Sequence, residues 1–237
     1  LDYRRGEEGW QFSLDKDGLD PVLKQSKIKD VYLNSDSDYE GPYSVPVLVD
    51  VTTGKVVRKE SAELLHEFAT VFKKLHRKDG IDLYPEHLAG QIDEWNEKLA
   101  VAINDGVYGM RFAESQEKYD EAFDRFFDMM DVVEDRLSNQ RYFHGNTITD
   151  TDIRFYTTMI RFDVVYYGLY SANKKRIEEY SNIFNYLKDL YQTPGFGSTT
   201  DFEAIKVGYY LSAGKTIVPK GPEVDKWNQS HDRARFE

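Results

Sequence analysis

The residues best suited to chemistry are two short pairs and a set of tyrosines. Glu60-Ser61 stands where an apolar, β-branched segment gives way to a helical one. A helix N-terminus presents unpaired amides and a partial positive charge, so this pair could receive a carboxylate. By residue type alone, Ser61 reads equally as an N-cap and Glu60 as a surface charge. Val45-Pro46 puts a proline into a strand-like run, where it is tolerated at a strand's beginning or with a cis bond. Seventeen tyrosines and fourteen phenylalanines are many for this length. They supply core area or line a site for a flat aromatic ligand.

Other chemistry finds no support. The chain has no cysteine, which excludes disulfides, thiolate metal sites and cysteine nucleophiles within these residues. His66, His76, His87, His144 and His231 are scattered without metal-ligand spacing, so no metal is expected. Ser13, Asp15, Asp17 and Gly18 imitate the start of a calcium loop, but Lys24 occupies the place of the closing glutamate. Gly195-Phe196-Gly197 lacks the strand and third glycine of a dinucleotide loop.

The elements that must position these groups are bounded by bulk properties. A length of 237 residues allows one large or two small domains, and 40% hydrophobic with 31% charged residues is a globular balance. The net charge of −11 argues against nucleic acid as a partner, because phosphate contacts need clustered Lys and Arg. The richest basic run, Lys73-Lys74-Leu75-His76-Arg77-Lys78, reads as a solvated helix end. No apolar run approaches the roughly 18 residues of a membrane span. Leu1-Asp2-Tyr3-Arg4-Arg5 is followed by no apolar stretch and is not a secretory signal. With no initiator methionine, upstream residues are expected to have been removed or left out. The chain reads as a soluble protein of the cytoplasm or an organelle, with nothing to decide between them.

A short helix is expected from about Pro21 to Leu33, then a strand over Ser44–Asp50, a turn at Thr52-Thr53-Gly54-Lys55 and a second strand opening at Val56-Val57. Ser61 is expected to cap a helix running to about Leu75. From Pro85 onward the pattern is helical: roughly Glu86–Asn104, Ala113–Leu137, Thr149–Tyr170, Ile177–Tyr191 and Asp201–Leu211. Tyr119, Ala122, Phe123, Phe126, Met130, Val133 and Leu137 form one apolar stripe. Thr149 and Asp152 form a variant capping box, with Ile148 and Ile153 at staple spacing; both devices are structural. The tail from Ala213 reads as an irregular strap. The expected domains are 1–84, 85–212 and 213–237.

Several segments together carry a resemblance. They are Val45-Pro46-Val47-Leu48, Glu60-Ser61, Asn104-Asp105-Gly106-Val107-Tyr108, Gly145-Asn146-Thr147-Ile148-Thr149-Asp150-Thr151-Asp152-Ile153-Arg154, Arg161-Phe162-Asp163-Val164-Val165-Tyr166, Asp189-Leu190-Tyr191-Gln192-Thr193-Pro194-Gly195 and Ile217-Val218-Pro219-Lys220-Gly221-Pro222. The chain resembles the glutathionyl-hydroquinone reductases, the Xi class of the glutathione transferases. The resemblance implies α/β plus all-α architecture: a partial thioredoxin-like domain followed by the glutathione transferase C-terminal helical bundle. Its strand–turn–strand–helix order corresponds to the second half of a thioredoxin fold. A two-stranded remnant is marginal in water, so the chain is expected to belong to a longer polypeptide or to have its open edge covered.

The resemblance also implies roles. Val45 and Pro46 lie beside the cysteinyl part of glutathione, Ser61 takes the γ-glutamyl carboxylate and Glu60 helps position the ammonium. Tyr108, Tyr166 and Tyr209 surround the aromatic or quinone adduct. Arg161 and Asp163 are read as structural pairing partners. The family's reactive cysteine, in a Cys-Pro-Trp-Ala motif, has no match here, so no catalytic residue is assigned. After Tyr209-Tyr210-Leu211-Ser212 the chain reads Ala213-Gly214-Lys215-Thr216, where the family has a histidine and an Asn-Pro stretch. Two functions follow as expectations. One is glutathione-dependent reduction of glutathionyl-hydroquinones through a thiolate outside these residues. The other is a non-catalytic binding or scaffold subunit of a larger assembly. A homodimer is implied by the resemblance.

Overall fold

The structure is a computed structural model that describes residues 1–236; Glu237, the last residue of the expected tail, lies outside the described residues. Contacts divide the chain into two compact units, Leu1–Lys74 with Glu203–Val218, and Leu75–Phe202 with Pro219–Glu237.

In the first unit α1 spans Ile28–Ser35 and buries Ile28, Val31 and Tyr32. It starts later than the sequence pattern predicts. Asp20 Oδ1 accepts the amides of Val22 and Leu23 at 3.0 and 2.5 Å, holding Pro21–Leu23 in a turn instead. Strand β1 is Leu48–Asp50 and β2 is Lys55–Arg58, paired antiparallel with Val49 opposite Val56 and Asp50 opposite Lys55. The expected strand over Ser44–Asp50 is thus shortened at its front. Pro46 has no N–H to give a ladder, and the chain bends at Val45. In the connecting turn Asp50 Oδ1 accepts from the amides of Thr52 and Thr53, and Gly54 adopts φ +69°. Among the described residues β2 is the single partner of β1.

Helix α2 spans Ser61–Ala69 and stops short of Leu75; Val71–Leu75 continue as a 3-10 helix. At the break the Thr70 hydroxyl donates to the His66 carbonyl at 2.7 Å. Such side-chain competition for the preceding turn disfavours helix continuation.

The second unit is helical. Helix α3, Ala89–Leu99, passes through a π-helical turn, Ala100–Asn104, into α4, Gly106–Arg111. The 24-residue α5, Gln116–Asn139, is capped by Ser115 Oγ, which accepts the Lys118 amide. Helix α6, Asp150–Met159, leads through a second π-helical turn, Phe162–Tyr166, into the short α7, Tyr167–Leu169. Helix α8 is Ser181–Gln192, after a 3-10 turn at Ile177–Glu179. Three of the helices read from the pattern, over 86–104, 149–170 and 177–191, are therefore interrupted, the first two by π turns and the third by a 3-10 turn. Hydrophobic spacing does not distinguish an α-helix from one carrying a π turn.

Asp152 joins these helices and is fully buried. Its Oδ2 accepts from the Thr149 amide and hydroxyl at 2.8 and 3.0 Å, closing the capping box. Its Oδ1 accepts from the Phe143 amide at 3.1 Å and the Tyr186 hydroxyl at 2.9 Å. Burial pushes the carboxyl up to about 6, against the pull of those hydrogen bonds.

Residues 203–212 of helix α9, Phe202–Ser212, belong to the first unit. There Ser212 Oγ accepts from the Arg5 amide, and Gly208 lets the Tyr3 carbonyl approach to where a Cβ would lie 2.7 Å away. The tail beyond is irregular apart from 3-10 turns at Asp225–Asn228 and Arg233–Phe236, yet it buries Trp227 and Arg233.

Candidate functional site

Glu60 is the N-cap of α2, with extended backbone, and Ser61 is the first helical residue. This corrects the expectation that Ser61 caps: the N-cap position belongs to Glu60, whose side chain makes no cap bond, and both residues are exposed. A serine at the first helical position leaves its hydroxyl beside the amide-rich helix end, where a carboxylate is favoured.

The Val45–Pro46 bond is cis. Val45 is half-buried, and among the described residues its backbone N–H and C=O enter no hydrogen bond. Main-chain groups in that state can pair with an extended peptide as a neighbouring strand would. Val45 and Pro46 line a groove of about 390 Å³ whose other walls include Phe12, Leu23, Val31 and Val49. Glu60 lines a second groove, of about 300 Å³, with Tyr32, Tyr39, Arg58 and Lys59. All four candidate glutathione residues lie in the first unit.

Tyr108 and Tyr166 come together in the second unit, their ring centroids 6.2 Å apart and edge to face. Other apolar groups pack in the same unit. A Cβ at Gly106 would lie 3.5 Å from Phe126 Cδ2, and Phe126 stacks on Phe162 at 5.5 Å. Asn104 ties the first π turn to α6, its amide nitrogen donating to the Arg154 carbonyl at 2.9 Å and Thr158 Oγ1 at 2.7 Å. Tyr209 belongs to α9 in the other unit.

Sequence reasoning passed over Tyr170. Its ring lies 5.6 Å from Tyr108 and 5.2 Å from Tyr166, and Arg111 sits over it at 5.9 Å. Its i,i+4 spacing from Tyr166 is the signal that could have revealed it. Arg161 and Asp163 do not pair with each other. Arg161 donates to the Thr157 carbonyl, while buried Asp163 accepts from Lys226 Nζ at 2.7 Å and the Ile177 amide at 3.2 Å. No group of three or more His, Asp or Glu residues able to hold a metal occurs among the described residues. No helix among them is long and apolar enough to cross a membrane.

A small antiparallel sheet in one unit and a helical second unit with this buried capping box fit the glutathione transferase class. Residues 116–189 match the family described as glutathione S-transferase, C-terminal domain. The glutathionyl-hydroquinone reductase YqjG of Escherichia coli is 40% identical over 217 residues, 91% of this chain and 66% of that protein. Its structure, solved with glutathione bound, superposes with a TM-score of 0.91 at 37% identity and covers 99% of this chain and 78% of that one. A glutathione transferase from Gordonia bronchialis gives a TM-score of 0.96 at 40% identity, covering 99% and 74%. A Xi-class enzyme from Natrialba magadii gives 0.93 at 35%, covering 99% and 75%. The chain belongs to the Xi class of the glutathione transferases, the family of the glutathionyl-hydroquinone reductases. It spans about two thirds of the length of YqjG.

Proposed function

We propose that these residues bind glutathione and the aromatic part of a glutathionyl-hydroquinone, within a reductase of that adduct. Ser61 and the α2 N-terminus receive the γ-glutamyl carboxylate, Glu60 faces its ammonium, and the Val45 main chain, next to Pro46, pairs with the cysteinyl unit. Tyr108 and Tyr166, whose rings meet within the second unit, offer the face and edge on which an aromatic ring packs.

The reaction is a pair of thiol exchanges. A thiolate attacks the adduct sulfur, the carbon–sulfur bond breaks, and the ring carbon takes a proton to leave as hydroquinone. A second glutathione then attacks the resulting mixed disulfide, releasing glutathione disulfide and the enzyme thiol. These 237 residues contain no cysteine, so the thiolate comes from outside them. The absence of cysteine also favours a second reading, a glutathione-binding subunit without turnover.

The observation that carries the proposal is the Val45 main chain beside Pro46, which enters no hydrogen bond among the described residues and lies in the same unit as the start of α2. Calorimetry with glutathione tests it, and measurable 1:1 binding is the expected result. Turnover of an S-glutathionyl-1,4-hydroquinone by the native protein, with its intact mass, then separates enzyme from scaffold. Absence of glutathione binding overturns both readings. A homodimer, to be checked by sedimentation, is part of the proposal.

A further inference from the structure

Three tyrosines converge on the loop between α1 and β1. The ring centroids of Tyr32, Tyr39 and Tyr43 stand 4.9, 5.8 and 5.7 Å apart in their three pairings. Each phenol is committed to the loop's main chain. Tyr32 donates to the Ser44 carbonyl and Tyr39 to the Pro42 carbonyl, both at 3.0 Å, and Tyr43 donates to the Tyr39 carbonyl at 3.5 Å. Gly41 permits the Tyr39 ring to fold back this closely, because a Cβ there would lie 2.5 Å from the Tyr39 hydroxyl. The loop so held runs directly into Val45-Pro46.

Tyr39 also reaches the other half of the proposed glutathione site. Lys59 Nζ donates to the Tyr39 hydroxyl at 3.0 Å and lies 5.2 Å from its ring centroid. Lys59 immediately precedes Glu60 and Ser61, where α2 begins. One phenol therefore accepts from Lys59, next to Glu60, and donates to Pro42, three residues before Val45. A hydroxyl that accepts from a cation is polarised into a stronger donor, so the two bonds reinforce each other. Tyr39, Lys59 and Glu60 share the wall of one groove.

We infer that Tyr39, with Lys59, is a positioning residue for glutathione: it fixes the spacing between the Val45 main chain and the α2 N-terminus so that one tripeptide reaches both. It acts through the loop rather than by contact with the ligand. A ligand anchored at two ends is sensitive to the distance between its anchors, so loosening this link weakens binding without removing either anchor. The inference rests on the glutathione reading given above.

Glutathione titrations followed by calorimetry test it, using wild type, Y39F, K59M, K59R and the Y39F/K59M double variant. Y39F and K59M are each expected to weaken binding about three- to tenfold, the effect of losing one hydrogen bond. The double variant should fall within about twofold of the weaker single one, since both remove the same link. K59R keeps a cationic donor and should bind within about twofold of wild type, a rescue that loss of general stability does not produce. Should Y39F fail to fold, the K59M and K59R pair decides alone. Unchanged affinity in K59M, independent addition in the double variant, or no rescue by K59R overturns the inference while leaving the site intact. Wild-type protein that binds no glutathione overturns the functional reading and this inference together.

Discussion

Ser61 and His144 show how much one position in a helix or loop decides. Because Glu60 and not Ser61 is the N-cap, S61A should change stability by less than about 0.5 kcal/mol, whereas loss of a true cap costs about 0.5–2 kcal/mol. The same substitution should weaken glutathione binding about fivefold, the worth of one hydrogen bond. Thermal unfolding and calorimetry on one sample check both. His144 is 8% exposed, with Nε2 3.2 Å from Thr151 Oγ1. Burial, with Arg136 adding to it, pulls its pKa down to about 4. A folded-state value below the unfolded one means stability is complete above about pH 6.5 and is lost as pH falls through 4. The loss attributable to His144 should approach about 3 kcal/mol. H144Q should remove that part of the acid sensitivity, read as urea midpoints from pH 7 to 4.

At the scale of elements, the capping box is part of a larger junction. Asp152 holds α6 through Thr149, but it also holds the Phe143 loop and Tyr186 of α8. T149A should therefore cost about 1 kcal/mol, within the range of a lost cap. D152A leaves donors from three elements unsatisfied in the core and should cost about 3 kcal/mol or more. Equal losses in chemical denaturation would mean the carboxylate serves its own helix alone. The sequence showed the box because its spacing is local. It could not show Phe143 and Tyr186, since 9 and 34 residues of chain separate them from Asp152. The α5 stripe illustrates the same division. Ala122, Phe126, Met130, Val133 and Leu137 are buried as their spacing predicts. Phe127, off that stripe, is equally buried, because its edge packs on Phe162 from another element.

Across the whole molecule, the tail is the part whose role composition conceals. It is polar and irregular, yet fully buried Arg233 donates to the carbonyls of Leu137, Gln140 and Arg141, where α5 ends. Terminal carbonyls of a helix need outside donors, and a guanidinium fork serves several at once. R233K supplies one ammonium in place of that fork. It should lower stability by about 2 kcal/mol and the Tm by roughly 4–8 °C in a calorimetric scan.

What the amino-acid sequence determined was whatever is local: the strand–turn–strand–helix order, the capping box and the motifs that carry the family. Adjacent residues fix those features through backbone sterics and short-range hydrogen bonds. The tertiary structure decided the rest. It interrupted the long helices with π turns, brought Tyr170 against Tyr108 and Tyr166, and joined Tyr39 to Lys59 across 20 residues. Packing and buried polar satisfaction act between groups distant in the chain, and periodicity carries no record of such partners.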